Sequence, residues 1–160
     1  MSDPVDPAVS AQLKIIAGAM GMGVALLCLV IGFLFLQNDH VATPEGLRLI
    51  NLLTGMAMAG TVAAIVASEI LWKSILSRGT GGDAGKTVVG AFIARSACRE
   101  GAALLGCVTA LLAAMNGVLR AHPAYWVDMA PAVLFWSYLY VHWPSATNLK
   151  AEIDQILKVR

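Results

Sequence analysis

Three stretches of this chain carry no charge at all: residues 15–36, 49–68 and 101–119. Each is close to the ~20 residues that an α-helix needs to cross bilayer hydrocarbon. A water-soluble chain of 160 residues has too little interior to hide three such runs. The composition agrees, at 58% hydrophobic and 13% charged, against about 45–50% and about 25% for soluble domains. The bilayer is therefore the expected solvent, and the lipid its first partner.

A fourth, weaker span is expected over about 124–143. It contains Asp128, Pro131 and His142, but Tyr125 and Trp126 stand at one end and Trp136, Tyr138, Tyr140 and Trp143 crowd the other half. Such amphipathic rings favour the headgroup level, and Pro131 should kink or unwind the helix. The fold expected is all-α: an integral membrane bundle of four transmembrane helices over 1–143, with spans at about 14–37, 47–76, 87–118 and 124–143. The stretch 144–160 is expected as a short cytoplasmic amphipathic helix, because Leu149, Ile153, Ile156 and Leu157 form one apolar stripe. Residues 1–14 do not read as a signal peptide, since Asp3 and Asp6 precede the one lysine and the following apolar run is too long for one.

The helix ends are signalled locally. "TPEG" places Thr43 as an N-cap, Pro44 at the first helical position and Glu45 in the first turn. His122-Pro123 opens the fourth helix in the same way. The segment "SRGTGGDAGK" has four glycines between 79 and 85 and should form a hairpin connection. Its Gly85-Lys86-Thr87 ends like a phosphate-binding loop, but Thr80 stands where that motif needs glycine, and no strand precedes it. No nucleotide is expected, and the formal charge of +1 suggests no nucleic acid.

Four spans put both termini and the middle loop on one side, with Lys14, Lys73, Arg78, Lys86, Lys150, Lys158 and Arg160. Arg48 and Arg120 lie on the other. The positive-inside rule then makes the termini and middle loop cytoplasmic, in a bacterial inner membrane.

Helix three repeats a small residue every fourth position: Gly90, Ala94, Cys98, Ala102, Gly106, Ala110 and Ala114. Helix two has Gly55, Ala59, Ala63 and Ala67 beside Gly60, Ala64 and Ser68. Small residues let backbones approach closely in lipid. Gly106 and Ala102 are expected to face helix two or another copy, with Gly55, Gly60 and Gly90 as further packing positions. A homo-oligomer or a membrane-complex partner follows as an expectation.

The ionisable residues near the spans are Glu69, Arg95, Arg99 and Glu100. The midpoint between 69 and 96 falls in the glycine loop, so Glu69 stands at the depth of Arg95 and Arg99, near the cytoplasmic edge of the hydrocarbon. The two arginines are about 40° apart on their helix and can share it. Glu100 points elsewhere and needs another partner. The four form either a structural ion-pair cluster or an ion site. Cys28, Cys98 and Cys107 show no metal-ligand spacing, and His40, His122 and His142 have no general-base or ligand partner at motif spacing. No catalytic residue, metal or cofactor is expected.

"ARSACREGAALLGCVTALLAA", residues 94–114, resembles the ion-carrying helix of the rotor-ring proteolipids of rotary ATPases, in which an acid precedes a glycine by six residues; here these are Glu100 and Gly106. "AGAMGMGVA", residues 17–25, is similar to their packing helix. The resemblance implies an oligomeric ion-translocating role for Glu100, although Arg95 and Arg99 precede the acid and the family's polar loop is absent. The whole chain also resembles small bacterial four-span membrane proteins of no assigned function. The residues themselves point first to a non-enzymatic assembly or accessory subunit, with ion or small-solute translocation as the alternative.

Overall fold

The computed structural model describes residues 7–78, 84–145 and 147–151. The glycine connection at 79–83, the first six residues and the stripe beyond 151, with Lys158 and Arg160, lie outside the described residues. Among those described there are helices and no strand. The elements are α1 (Pro7–Gln37), α2 (Pro44–Arg78), α3 (Ala84–Met115), a one-turn α4 (Val118–Ala121), a 3-10 helix (Pro123–Met129) and α5 (Ala130–Val141). Residues 147–151 are again helical.

Three helices, Ala8–Gln37, Pro44–Ser77 and Lys86–Met115, are long and apolar enough to cross a membrane, with mean hydropathies of 2.6, 1.9 and 1.4. Their outer faces are apolar and bare: Ile15, Met22, Leu29 and Leu36 of α1 are each more than 70% exposed. In water such faces would be costly; in lipid they are the solvent-facing surface. The chain is an integral membrane protein by this measure.

The expected fourth span is not one α-helix. Pro123 opens a 3-10 run, and α5 begins only at Ala130. The reason is Pro131. It has no N–H to give to the carbonyl four residues back, and Ala130 N–H instead bonds Val127 O in 3-10 fashion. Pro131 thus falls in the first turn of α5, where a missing donor costs nothing. α3 likewise ends earlier than expected. Gly117 takes φ +70°, a conformation that suits glycine, and its N–H bonds Ala114 O at 3.1 Å. A Cβ there would also overlap the His40 carbonyl. At the start of α2, Thr43 Oγ1 accepts Gly46 N–H at 3.1 Å, the N-cap that "TPEG" implies.

α3 is the central helix, packed against α1, α2, the 3-10 helix and α5, while α1 and α2 do not pack along each other. α1 buries Ser10, Ala17, Val24 and Ile31, with Leu13 beside them. α2 buries Ile50 and Ala57, and Thr61 and Ser68. These are seven-residue spacings, the seam of left-handed helix pairs. Within the chain Gly55 has nothing within 4 Å of its side-chain position, nor has Gly90. A four-residue stripe turns about 40° per step away from a seven-residue seam, so 55, 59, 63 and 67 all lie on the outer face. Gly60 does pack, with Leu105 Cδ2 3.3 Å from its Cβ position.

α1 and α3 run parallel, and their C-terminal ends cap each other. Asn38 Nδ2 donates to Ala114 O at 2.8 Å and Met115 O at 2.6 Å. In return Arg120 Nη2 donates to Phe35 O at 3.0 Å, while its Nη1 pairs Asp39 at 2.6 Å. Carbonyls at a helix end need such partners, and a cation is favoured there. Lower down, Cys28 Sγ stands 3.9 Å from Cys107 Sγ.

Candidate functional site: a charge cluster and a buried polar seam

Glu69 of α2 meets both arginines of α3 on a single oxygen. Arg95 donates to Oε1 through Nε at 3.0 Å and Nη2 at 2.6 Å, and Arg99 through Nη2 at 2.7 Å. Arg99 Nε also donates to Ser68 Oγ at 3.1 Å. The arginine side chains are 12% and 18% exposed, and the glutamate 38%, so charge-assisted bonds act here with reduced screening.

Two aromatic rings complete the cluster, and neither belongs to the four residues singled out in the sequence. Tyr138 of α5 lies 4.2 Å from the Arg99 guanidinium carbon and 5.3 Å from that of Arg95. Trp72 covers Arg95 at 5.2 Å. Each such contact contributes roughly 0.5–2 kcal/mol. Tyr138 OH also meets Ser96 Oγ at 3.4 Å, and its ring is 4.9 Å from that of His142. The cluster therefore ties α2, α3 and α5 together.

Glu100 does not join it. Among the described residues it has no hydrogen bond or ion pair. Gly60, midway between Arg48 and Lys73 of α2, opposes Leu105; Glu100 is five residues from that level, about 7 Å. It sits on the α1 flank of a face of α3 that neither α1 nor α2 covers, with Gly90, Ala97, Gly101 and Val108 exposed on it. Gly90 and Gly101 have nothing within 4 Å of a Cβ position.

Gly106 packs inside the chain, but not on helix two. Its Cβ position is 2.5 Å from Asp128 O and 2.9 Å from Pro131 Cγ. The approach lets the 3-10 helix and the first turn of α5 lie directly on α3. Ala102, one turn away, lines a cavity of about 80 Å³ with Thr61, Ile65, Arg99, Pro131, Leu134 and Phe135. Asp128 is fully buried, and its Oδ2 accepts the Thr54 hydroxyl at 3.0 Å. Its Oδ1 has no partner. Beyond it, Tyr125 OH meets Asn51 Oδ1. Sequence reading missed this seam. The available signal was Thr54, Thr61 and Ser68 at seven-residue spacing on an otherwise apolar helix.

Among the described residues no group of three His, Cys, Asp or Glu side chains could hold a metal. Comparison with protein-family models, with curated proteins and with solved structures gives no match. The functional reading therefore rests on these side chains alone.

Proposed function

We propose that this chain is a non-enzymatic assembly or accessory subunit of a bacterial inner membrane, crossing the bilayer four times with both termini in the cytoplasm. The observation that carries the reading is the contrast between the two acids of the hairpin. Glu69 is closed within the chain by three N–H donors, which suits a clamp and not a carrier that must release its partner. Glu100 is left unpaired beside an uncovered small-residue face of α3. In hydrocarbon, ionisable groups turn to a partner, and small faces admit a close-packed helix. The partner is another copy of the chain or a companion membrane subunit; no nucleotide or nucleic acid enters the reading.

The fourth crossing is supported by the path of the last segment. It starts where Tyr125 meets Asn51 and Trp126 packs 5.3 Å from Phe35. It ends where Ser10 donates to Pro144 O at 3.2 Å. Seven 3-10 residues and twelve α residues cover about 32 Å, the thickness of hydrocarbon. The basic residues favour cytoplasmic termini.

Single cysteines at Ala97 and Gly101, in a background without native cysteines, test the interface. Crosslinking in native membranes at these positions, and not at Ile15 or Leu29, is expected. A chain that crosslinks at neither and is monomeric in mild detergent would not be a subunit of this kind. A cysteine at position 82 should be labelled from the cytoplasmic side; labelling from the opposite side alone refutes the orientation.

The second reading, proteolipid-like translocation, draws on the depth of Glu100. Its mark would be a proton or sodium flux in proteoliposomes that Glu100→Gln abolishes with the fold intact.

A further inference from the structure

The geometry points to Asp128 as a proton-binding site inside the membrane-embedded bundle, a role separate from the assembly reading and independent of it. Its carboxyl is wholly enclosed, with 0% of the residue exposed. The Thr54 hydroxyl at 3.0 Å is its one polar contact among the described residues, and Oδ1 has none. Thr54 of α2 meets its carboxyl, and Gly106 of α3 lies against its backbone carbonyl and against Pro131 of α5; none of these is ionisable. Tyr125, in its own 3-10 helix, is engaged by Asn51. The nearest cation on the same seam, Arg99, is seven residues from Gly106, about 10 Å along α3, and is already bound to Glu69 and Ser68.

An isolated buried carboxylate with a single hydrogen bond is far more costly than a neutral acid in the same place. The Thr54 contact serves the neutral form equally well. With a proton on Oδ2, that oxygen donates to Thr54 Oγ1. The Thr54 hydroxyl then turns to a carbonyl of its own helix, as Thr61 does to Ala57 O at 2.7 Å. Oδ1 remains as a carbonyl-type oxygen, whose lack of a partner is an ordinary cost. A metal ion would need several more oxygens than this site offers; a proton needs only the carboxyl.

The Asp128 carboxyl does not itself line a cavity. Pro131, three residues on, lines one with Thr61 and Arg99 that is large enough for water, and exchange requires local opening of the 3-10 helix toward it. The step is uptake of a proton from hydronium by the carboxylate, giving the acid and water, and its reverse on release. Nothing is oxidised or reduced.

Infrared spectroscopy tests this on the full chain in detergent. The measurement is made in a Glu100→Gln background, so that the other unpaired acid of the bundle is silent. At neutral pH a protonated-carboxyl C=O band is expected, downshifted in D2O and lost in Asp128→Asn. At high pH it should give way to carboxylate absorption while helical circular dichroism is retained. The absence of any such band at neutral pH, or its persistence in full in Asp128→Asn, overturns the assignment. Should Asp128→Asn fail to fold, Thr54→Val keeps the acid and removes its partner. A shift of the band to higher frequency then supports the site, and an unchanged frequency overturns it.

Discussion

Replacing Gly106 by alanine adds one methyl group at the tightest point of the fold. The new carbon would stand 2.5 Å from the Asp128 carbonyl oxygen and 2.9 Å from Pro131 Cγ. Neither neighbour is a flexible tip: one is backbone and the other a ring. Relief requires the 3-10 helix and the first turn of α5 to move off α3. Overpacking of this kind costs about 1–3 kcal/mol. Moving Asp128 also weakens its bond to Thr54, worth about 1 kcal/mol. Against these stands the gain of helix propensity from glycine to alanine, about 1 kcal/mol. The net loss is about 1–3 kcal/mol, a fall in Tm of about 2–12 °C for a chain of this size. Cys107 is fully buried, so its reaction with a thiol-specific fluorophore during heating, in a background lacking Cys28 and Cys98, reports the opening of this core. Gly55→Ala is the control. Its position meets no other atom within 4 Å, so it should match or exceed wild-type stability. Gly106→Ala at wild-type stability, or Gly55→Ala equally damaging, would refute the packing argument.

Glu69→Gln strands two guanidiniums, and should destabilise by less than the ~3–5 kcal/mol of a fully buried pair, because Glu69 is partly exposed; adding Arg95→Gln should recover part of the loss in the same thermal assay. Gly117→Ala forces a side chain into φ +70° and against the His40 carbonyl, and should cost at least the ~1–2 kcal/mol of the left-handed conformation, seen as a lower unfolding temperature. Arg120→Ala should change stability by less than about 1 kcal/mol through its exposed pair with Asp39, with a further loss from the uncapped α1 carbonyls that Asp39→Ala does not share. Oxidation in membranes should link Cys28 to Cys107, seen as altered gel mobility that Cys28→Ser removes; linkage of Cys98 instead would disprove the α1–α3 register.

The sequence speaks most plainly where one physical term dominates. An uncharged run of about twenty residues has few alternatives to a membrane-crossing helix, so α1, α2 and most of α3 are legible. Thr43 and Pro44 act within one turn, so the start of α2 is legible too. The level of Glu69 follows from the short connection to Arg95 and Arg99. What depends on register between distant segments is not legible. Tyr138 reaches the arginines because Gly117 turns the chain and the 3-10 rise before Ala130 sets the height of α5. Gly106 belongs to a small-residue stripe whose spacing is the same whichever helix lies against it. Gly55 and Gly90 share that spacing and meet no neighbour within 4 Å in the chain; for Gly55 the reason is that the buried positions of α2 recur at seven residues. Asp128 reads as a flaw in a weak span until the fold closes around it.

The central place of α3 sets an order of events. Synthesis delivers α1 and α2 first, and these two have no interface with each other along their lengths. Each can enter the bilayer as a separate helix, but the first hairpin has nothing to hold it shut. Glu69 therefore has no counter-charge from the chain until α3 brings Arg95 and Arg99. Only then do the ends of α1 and α3 exchange their caps through Asn38 and Arg120. The last segment closes over Gly106, and Tyr138 is laid on a pair of guanidiniums that were neutralised in part before it arrived. A chain cut before residue 84 would hold two membrane helices and no bundle.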